Sequence, residues 1–256
     1  MPFLEVDPWF FAAAIPAVLI TGISKSGFSG GVGILAVPLI AVFVSPLQAA
    51  AVMLPILVVM DLITIWAYRR TWHKGNLIVL LPGAVLGVGV GWATFHWVDD
   101  NAVRLLLGVI SIAFGLSYFA GGREAENPKT PPPWIGTVCG TISGFTSFVA
   151  HAGGAPVKVF LLPQRLDKTL FVGTNVIFFF AVNQLKLIPY GALGQFSTDN
   201  LALSAVLLPL APLGVWLGLK LHHRVSEQLF YRICYGLVLI SGCKLMWDGV
   251  LGSGWI

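Results

Sequence analysis

Apolar residues fall into eight blocks along the chain, approximately 9–44, 47–68, 77–98, 102–120, 134–163, 169–189, 199–221 and 228–247. About 20 residues of helix cross the hydrocarbon core of a bilayer, and six of the blocks have that length. The other two, 9–44 and 134–163, are too long for one crossing. Each is interrupted by glycine and polar residues: Gly22-Ile-Ser-Lys-Ser-Gly-Phe-Ser-Gly-Gly-Val-Gly33 in the first, Gly144-Phe-Thr-Ser-Phe-Val-Ala-His-Ala-Gly-Gly-Ala-Pro156 in the second. Glycine at that density weakens a helix. The pattern predicts an all-α polytopic membrane protein with six plain spans and two broken ones.

Composition narrows what such a chain can be. Of 256 residues, 57% are hydrophobic and 10% charged, with a mean hydropathy of +0.86. A soluble domain carries roughly 25% charged residues, so a water-exposed globular surface is excluded. The longest hydrophilic stretch, 121–133, is a linker rich in proline and charge, which leaves the chemistry to the membrane interior. A net charge of +4 reflects topology in a chain of this kind. With no stripe of basic and aromatic residues, nucleic acid is not a partner. Cys139, Cys234 and Cys243 lie in apolar stretches without CxxC spacing, which suggests neither a disulfide framework nor a metal site. The acidic N-terminus lacks the basic stretch of a cleaved signal peptide.

The two broken blocks head an internal repeat. Ser26-Gly27-Phe28-Ser29 matches Ser143-Gly144-Phe145-Thr146, with Pro38 and Pro156 following at nearly equal distance. Residues 80–98 and 207–225 are identical at ten of 19 positions. The chain reads as two transmembrane repeats, 1–121 and 134–256, joined by a cytoplasmic linker at 122–133. If all eight blocks crossed the membrane, the basic residues outside the spans would divide six and six between its faces. If the broken blocks are instead re-entrant, ten basic residues share one face: Arg69, Arg70, Lys74, Arg123, Lys129, Arg165, Lys168, Lys220, Arg224 and Arg232. Only Arg104 and Lys244 face the other. That asymmetry marks a cytoplasmic face. The expectation is therefore two inverted repeats in the cell (inner) membrane, each a broken or re-entrant helix hairpin plus three transmembrane helices. Both termini are then extracytoplasmic.

Irregular backbone at membrane depth has to be buried or to line a wet cavity. Two breaks arriving from opposite faces meet near the midplane, with half-helices starting near Gly30–Gly33 and near Gly153–Pro156. Their free N–H groups and positive dipole ends converge there. Gly30, Gly31, Gly33, Gly153 and Gly154 let a ligand reach those amides, and Ser24, Ser26, Ser29, Thr146 and Ser147 add hydroxyl donors. Everything converging is a donor, so the expected ligand is a small oxyanion.

Embedded ionisable residues are costly and are functional candidates by default. Lys25 lies in the first break, His151 and Lys158 in or just after the second, and Lys186 late in the sixth block. They add positive charge for an anion, or else snorkel or pair with Asp61, the only acid deep in a span. Asp61 neutralises a lysine or carries a coupling proton. His151 is a proton-coupling group or a neutral imidazole bonded to a backbone carbonyl in the break. Asn175 falls at the repeat position of Pro55 and is assigned to the site, with helix-packing glue as the other reading. Gly83, Gly87 and Gly91 form a small-xxx-small face for close packing.

These features resemble the TauE/SafE sulfite exporter family, which includes toluene sulfonate uptake permease-type anion transporters. The resemblance rests on SGFSGGVGILAVPL at 26–39 and SGFTSFVAHAGGAPVKV at 143–159, and it extends over nearly the whole chain. It implies transport of sulfur-containing anions such as sulfite and organosulfonates, without an organic cofactor. By position, Gly30, Gly31, Gly33 and Pro38 match the family's first motif, and Gly153, Gly154 and Pro156 the second. The second copy departs from the pattern at Phe148-Val149-Ala150-His151.

The leading function is thus a secondary transporter of a small sulfur-containing anion, coupled to a proton or another ion. The same site with weak binding and no coupling makes an anion channel. An intramembrane enzyme using His151 with Asp61 is a further alternative, although no Ser-His-Asp or HExxH constellation is present. A purely structural subunit is disfavoured by the buried lysines and glycine breaks, which cost stability.

Overall fold

The structure, a computed structural model, describes residues 8–27, 36–97, 100–119, 130–164, 166–221 and 227–252. Among these residues all regular structure is helical. In chain order the helices are α1 (Pro8–Gly27), α2 (Ala36–Ile40), α3 (Pro46–Tyr68), α4 (Lys74–Thr94), α5 (Asp100–Phe119), α6 (Pro133–Ala150), α7 (Gly154–Leu161), α8 (Lys168–Ala192), α9 (Thr198–Leu207), α10 (Leu210–Leu221) and α11 (Glu227–Gly252). Five stretches of the described residues are long and apolar enough to cross a membrane: Trp9–Gly27, Pro46–Tyr68, Lys74–Trp97, Thr169–Ala192 and Thr198–Lys220. Large apolar side chains such as Trp97, Ile188 and Trp247 point outward, as a lipid-facing surface requires. The molecule is a multi-pass membrane protein.

Helix starts are written locally. Ser45 accepts from Gln48 N–H, with Pro46 beginning the helix; Asp167 accepts from Thr169 and Leu170 N–H, and Ser197 from Asn200 N–H. These caps satisfy amides that a helix start leaves free. α9 and α10 are one apolar stretch divided at Leu208 and Pro209, where proline offers no N–H to the turn before it.

Helix packing runs through glycine. Gly83 and Gly87 of α4 lie against the backbone of Thr137 and Thr141 in α6, and Gly140 and Gly144 of α6 against Leu80 and Ala84. A Cβ at any of these four would enter the neighbouring backbone, so the sequence sets how closely the helices approach. Gly91 continues the face against the Phe148 ring. α1 and α10 meet in the same way, Gly22 on Gly214 and Gly27 on Gly218. In both pairs residue numbers rise together, so the helices run parallel.

Two other pairs run antiparallel. α3 crosses α8 with Asp61 at Asn183, while Tyr68 clusters with Val172 and Val176. α5 lies along α11 with Asn101 at Gly252, Leu105 at Gly249 and Ser111 at Gly242. The second broken block is a helical hairpin. After α6 the chain turns at 151–153, and α7 returns along it, Gly153 lying against Ser143 and Phe160 against Gly136. The glycine-rich stretch of the first block, 28–35, lies outside the described residues.

Candidate functional site

The antiparallel α3 and α8 touch where each is fifteen residues past its first residue, Asp61 counted from Pro46 and Asn183 from Lys168. Asn183 Nδ2 donates to Asp61 Oδ2 at 2.6 Å. The other carboxylate oxygen faces Lys25 Nζ, 2.5 Å away near the end of α1. Asp61 is 0% exposed and Lys25 9%. A carboxylate removed from water costs several kcal/mol, and a hydrogen-bonded cation is what offsets that cost.

A second cluster forms where α6 ends. His151 caps the helix in the left-handed region, with φ 53°, a conformation costing a non-glycine residue about 1–2 kcal/mol. Its N–H closes on Ser147 O at 3.1 Å, and Ala152 N–H on Thr146 O at 3.1 Å. The imidazole joins two further helices: Nε2 lies 2.9 Å from Ala50 O of α3, and Nδ1 lies 2.6 Å from Lys186 Nζ of α8. A carbonyl only accepts, so Nε2 carries the hydrogen and Nδ1 is left to accept from Lys186. Lys186, 0% exposed, also donates to Ser147 O at 3.0 Å and Ser147 Oγ at 3.1 Å, so all three ammonium hydrogens have acceptors. Tyr190 stacks on the imidazole with ring centroids 6.3 Å apart.

Both clusters border one cavity of about 40 Å³, room for roughly three waters or one small oxyanion. Its polar lining is Thr21 and Lys25 from α1, Ser147 from α6, His151 from the turn after it, Gly154 from the start of α7, and Asn175 and Asn183 from α8; Leu57, Val176 and Phe179 form apolar walls. Lys25 and Asp61 cancel in charge. Among the described residues Lys186 contacts Ser147 and His151 and forms no ion pair, so when protonated its charge is not neutralised by these partners. Such a site can bind and desolvate a small anion.

The expected residues divide into those at the cavity and those elsewhere. Lys25, Ser147, His151, Gly154 and Asn175 line it, and Asp61 stands behind Lys25. Ser26 Oγ lies 2.8 Å from Gly22 O and 2.9 Å from Val215 O, two acceptors that share its one hydrogen, which turns it toward α10. Thr146 Oγ1 donates to Ile142 O in its own helix at 2.8 Å. Ser24 is buried, with no hydrogen-bond partner for its hydroxyl among the described residues. Gly153 sits in the turn, its carbonyl accepting from Ser143 Oγ at 2.7 Å. Lys158 is half-buried on α7 and does not line the cavity. Ser29, Gly30, Gly31 and Gly33 lie outside the described residues. His151 does meet a backbone carbonyl, but on α3 across the crossing and not within its own turn. Lys186 neither snorkels nor pairs with Asp61.

The family model described as sulfite exporter TauE/SafE matches residues 14–245. The chain belongs to the TauE/SafE sulfite exporter family. No curated protein and no solved structure matches the chain. Members of the TauE/SafE family are membrane transporters, and the family name points to export of sulfite or a related anion.

Two tyrosines at this TauE/SafE site escaped the sequence reading. Tyr68 OH donates to Ser26 O at 2.7 Å, and Tyr190 OH to Phe148 O at 2.6 Å. Each ties the end of the helix that precedes the break in its own half. The signal lay in the pair Asp61-Leu-Ile-Thr-Ile-Trp-Ala-Tyr68 and Asn183-Gln-Leu-Lys-Leu-Ile-Pro-Tyr190, an amide or acid seven residues before a tyrosine.

Proposed function

We propose that this chain is a secondary transporter of small sulfur-containing anions, sulfite or an organosulfonate, working by alternating access at the α3–α8 crossing. The observation that carries this reading is the small cavity at this crossing, with Lys25, Ser147, His151 and Asn175 on its polar side and Lys186 held directly behind Ser147 and His151. A cation carrier needs carboxylates free to ligate, and the deep one here, Asp61, is held by Lys25. An enzyme needs a nucleophile activated by a base, and His151 has both ring nitrogens engaged by Ala50 and Lys186.

The inverted, re-entrant layout is part of the proposal, and helix directions support it. With eight full crossings, α3 and α8 would run the same way, as would α5 and α11; both pairs are antiparallel. A hairpin in the second half alone would set α1 against α10, yet these are parallel. Hairpins in both halves fit all four pairs. Equivalent helices then meet antiparallel, which is what an axis in the membrane plane produces. The relating offset is 122 residues for Asp61 and Asn183, Tyr68 and Tyr190, and their acceptors Ser26 and Phe148. On that register Ser26 corresponds to Phe148, five residues beyond the Ser143 suggested by the Ser-Gly-Phe match.

Thermal stability of the purified protein with sulfite, sulfate, thiosulfate, taurine, sulfoacetate, phosphate and chloride tests the ligand class. A ligand at 100 times its Kd stabilises by about 2.7 kcal/mol. Sulfur oxyanions or sulfonates should stabilise while chloride does not, and proteoliposomes should give saturable flux of the same anions. Equal shifts with chloride and phosphate would overturn the sulfur reading, and conductance without a coupling gradient would make the protein a channel.

A further inference from the structure

We propose that the Lys186–His151 pair is the proton-binding site of this transporter: one proton, held between Lys186 Nζ and His151 Nδ1, is the charge the anion meets and is carried with it. This rests on the anion reading above and adds the group that couples and the ion it takes.

The geometry allows one proton in that position. His151 Nε2 must keep its hydrogen because its partner, Ala50 O, can only accept. Lys186 directs two hydrogens at Ser147 O and Oγ. The 2.6 Å line between Nζ and Nδ1 then holds a single hydrogen, and the two nitrogens bind it as a unit. Remove it, and the neutral amine has two hydrogens for three acceptors. One of its three contacts is then lost or reversed. The Lys186–His151 contact also joins α8 to the α6–α7 turn, and through Ala50 to α3. Loss of the proton therefore removes the charge and loosens the hold of Lys186 on Ser147 and His151, which form part of the cavity wall.

The neighbouring charged and titratable groups leave this role to the pair. From α1 comes Lys25 and from α3 Asp61, closed on each other. On α8, Tyr190 has its hydroxyl on Phe148 O, and Asn183 is neutral. Lys158 of α7 is half-buried and outside the lining. A monoanion entering the cavity favours the protonated pair, and anion and proton leave together as a neutral load. The proton passes to water on the receiving side.

The test uses the full-length purified protein and anions whose own charge does not change with pH, methanesulfonate and sulfate. Apparent affinity, read from thermal shift between about pH 5.5 and about pH 9, should weaken about tenfold per pH unit once the pair has lost its proton. In His151→Gln the side-chain amide can still donate to Ala50 O and accept from Lys186 but cannot share a proton. The variant's pH dependence, then set by Lys186 alone, should move to a different midpoint, whatever its affinity at the lowest pH. Lys186→Met should bind neither anion at any pH while retaining a folded, monodisperse profile. Equal affinity across the range in the wild type, or an unchanged midpoint in His151→Gln, overturns the proton site and leaves the anion reading standing. Absence of stabilisation by either anion at every pH, together with failure of the wider anion panel, overturns both.

Discussion

Removing either partner of the Lys25–Asp61 pair should destabilise the protein, and the structure predicts which removal costs more. Lys25→Met leaves the Asp61 carboxylate, 0% exposed, with only the Asn183 amide for company. Breaking a buried ion pair in this way costs about 3–5 kcal/mol. Asp61→Asn leaves the Lys25 ammonium, which borders the cavity and can draw on water there, so its cost is nearer about 1–3 kcal/mol. The double variant Lys25→Met/Asp61→Leu removes both charges and should fall within about 1 kcal/mol of the wild type, because an apolar pair needs no solvation. For a chain of this length a kcal/mol moves the melting temperature by about 2–4 °C, so Lys25→Met should melt about 6 °C or more below the wild type. The assay is thermal unfolding of the detergent-purified protein without added anion, and then anion-induced shift for each variant. Lys25 lines the cavity, so the double variant should be stable and still bind anions poorly. If Asp61→Asn costs as much as Lys25→Met, or the two losses add in the double variant, the pair does not carry the energetics assigned to it.

Other outcomes follow from packing and topology. Gly87→Ala should lower thermal stability because its Cβ meets the Phe145 amide and the Thr141 carbonyl of α6, whereas Gly89→Ala, facing open space, should be neutral or raise stability by up to about 1 kcal/mol. Tyr190→Phe should cost about 1–3 kcal/mol by orphaning the buried Phe148 carbonyl, and Tyr68→Phe a similar amount at Ser26, both read by thermal unfolding. Single cysteines at positions 3 and 254, in a background lacking Cys139, Cys234 and Cys243, should label from outside the cell; labelling from the cytoplasmic side alone would refute the orientation.

Much of the architecture was legible in the chain itself. Apolar run length and desolvation cost are local properties, so eight blocks, two of them broken, could be read directly. At the second break the structure has a helix, a turn and a second helix, and α7 begins at Gly154 within the stretch where a half-helix start was expected. The glycine face at Gly83, Gly87 and Gly91 was legible for the same reason, since its spacing repeats with the helical turn. Burial of Lys25, Asp61, His151 and Lys186 also followed from their position inside apolar runs.

Pairing among those residues was decided by tertiary structure. Periodicity says which face of a helix a residue occupies, but not which helix crosses that face or at what height. Only the antiparallel crossing of α3 and α8 brings Asp61 to Asn183 and within reach of Lys25, leaving Lys186 to the turn after α6. Only the left-handed cap at His151 directs its ring to both α3 and α8. Ser26 and Thr146, read as ligand donors, satisfy backbone carbonyls because a hydroxyl in a helix finds the carbonyl one turn back before it finds a ligand. The inventory of buried charge was a property of the sequence; the assignment of each charge to a partner depended on distances that exist only once the helices are packed.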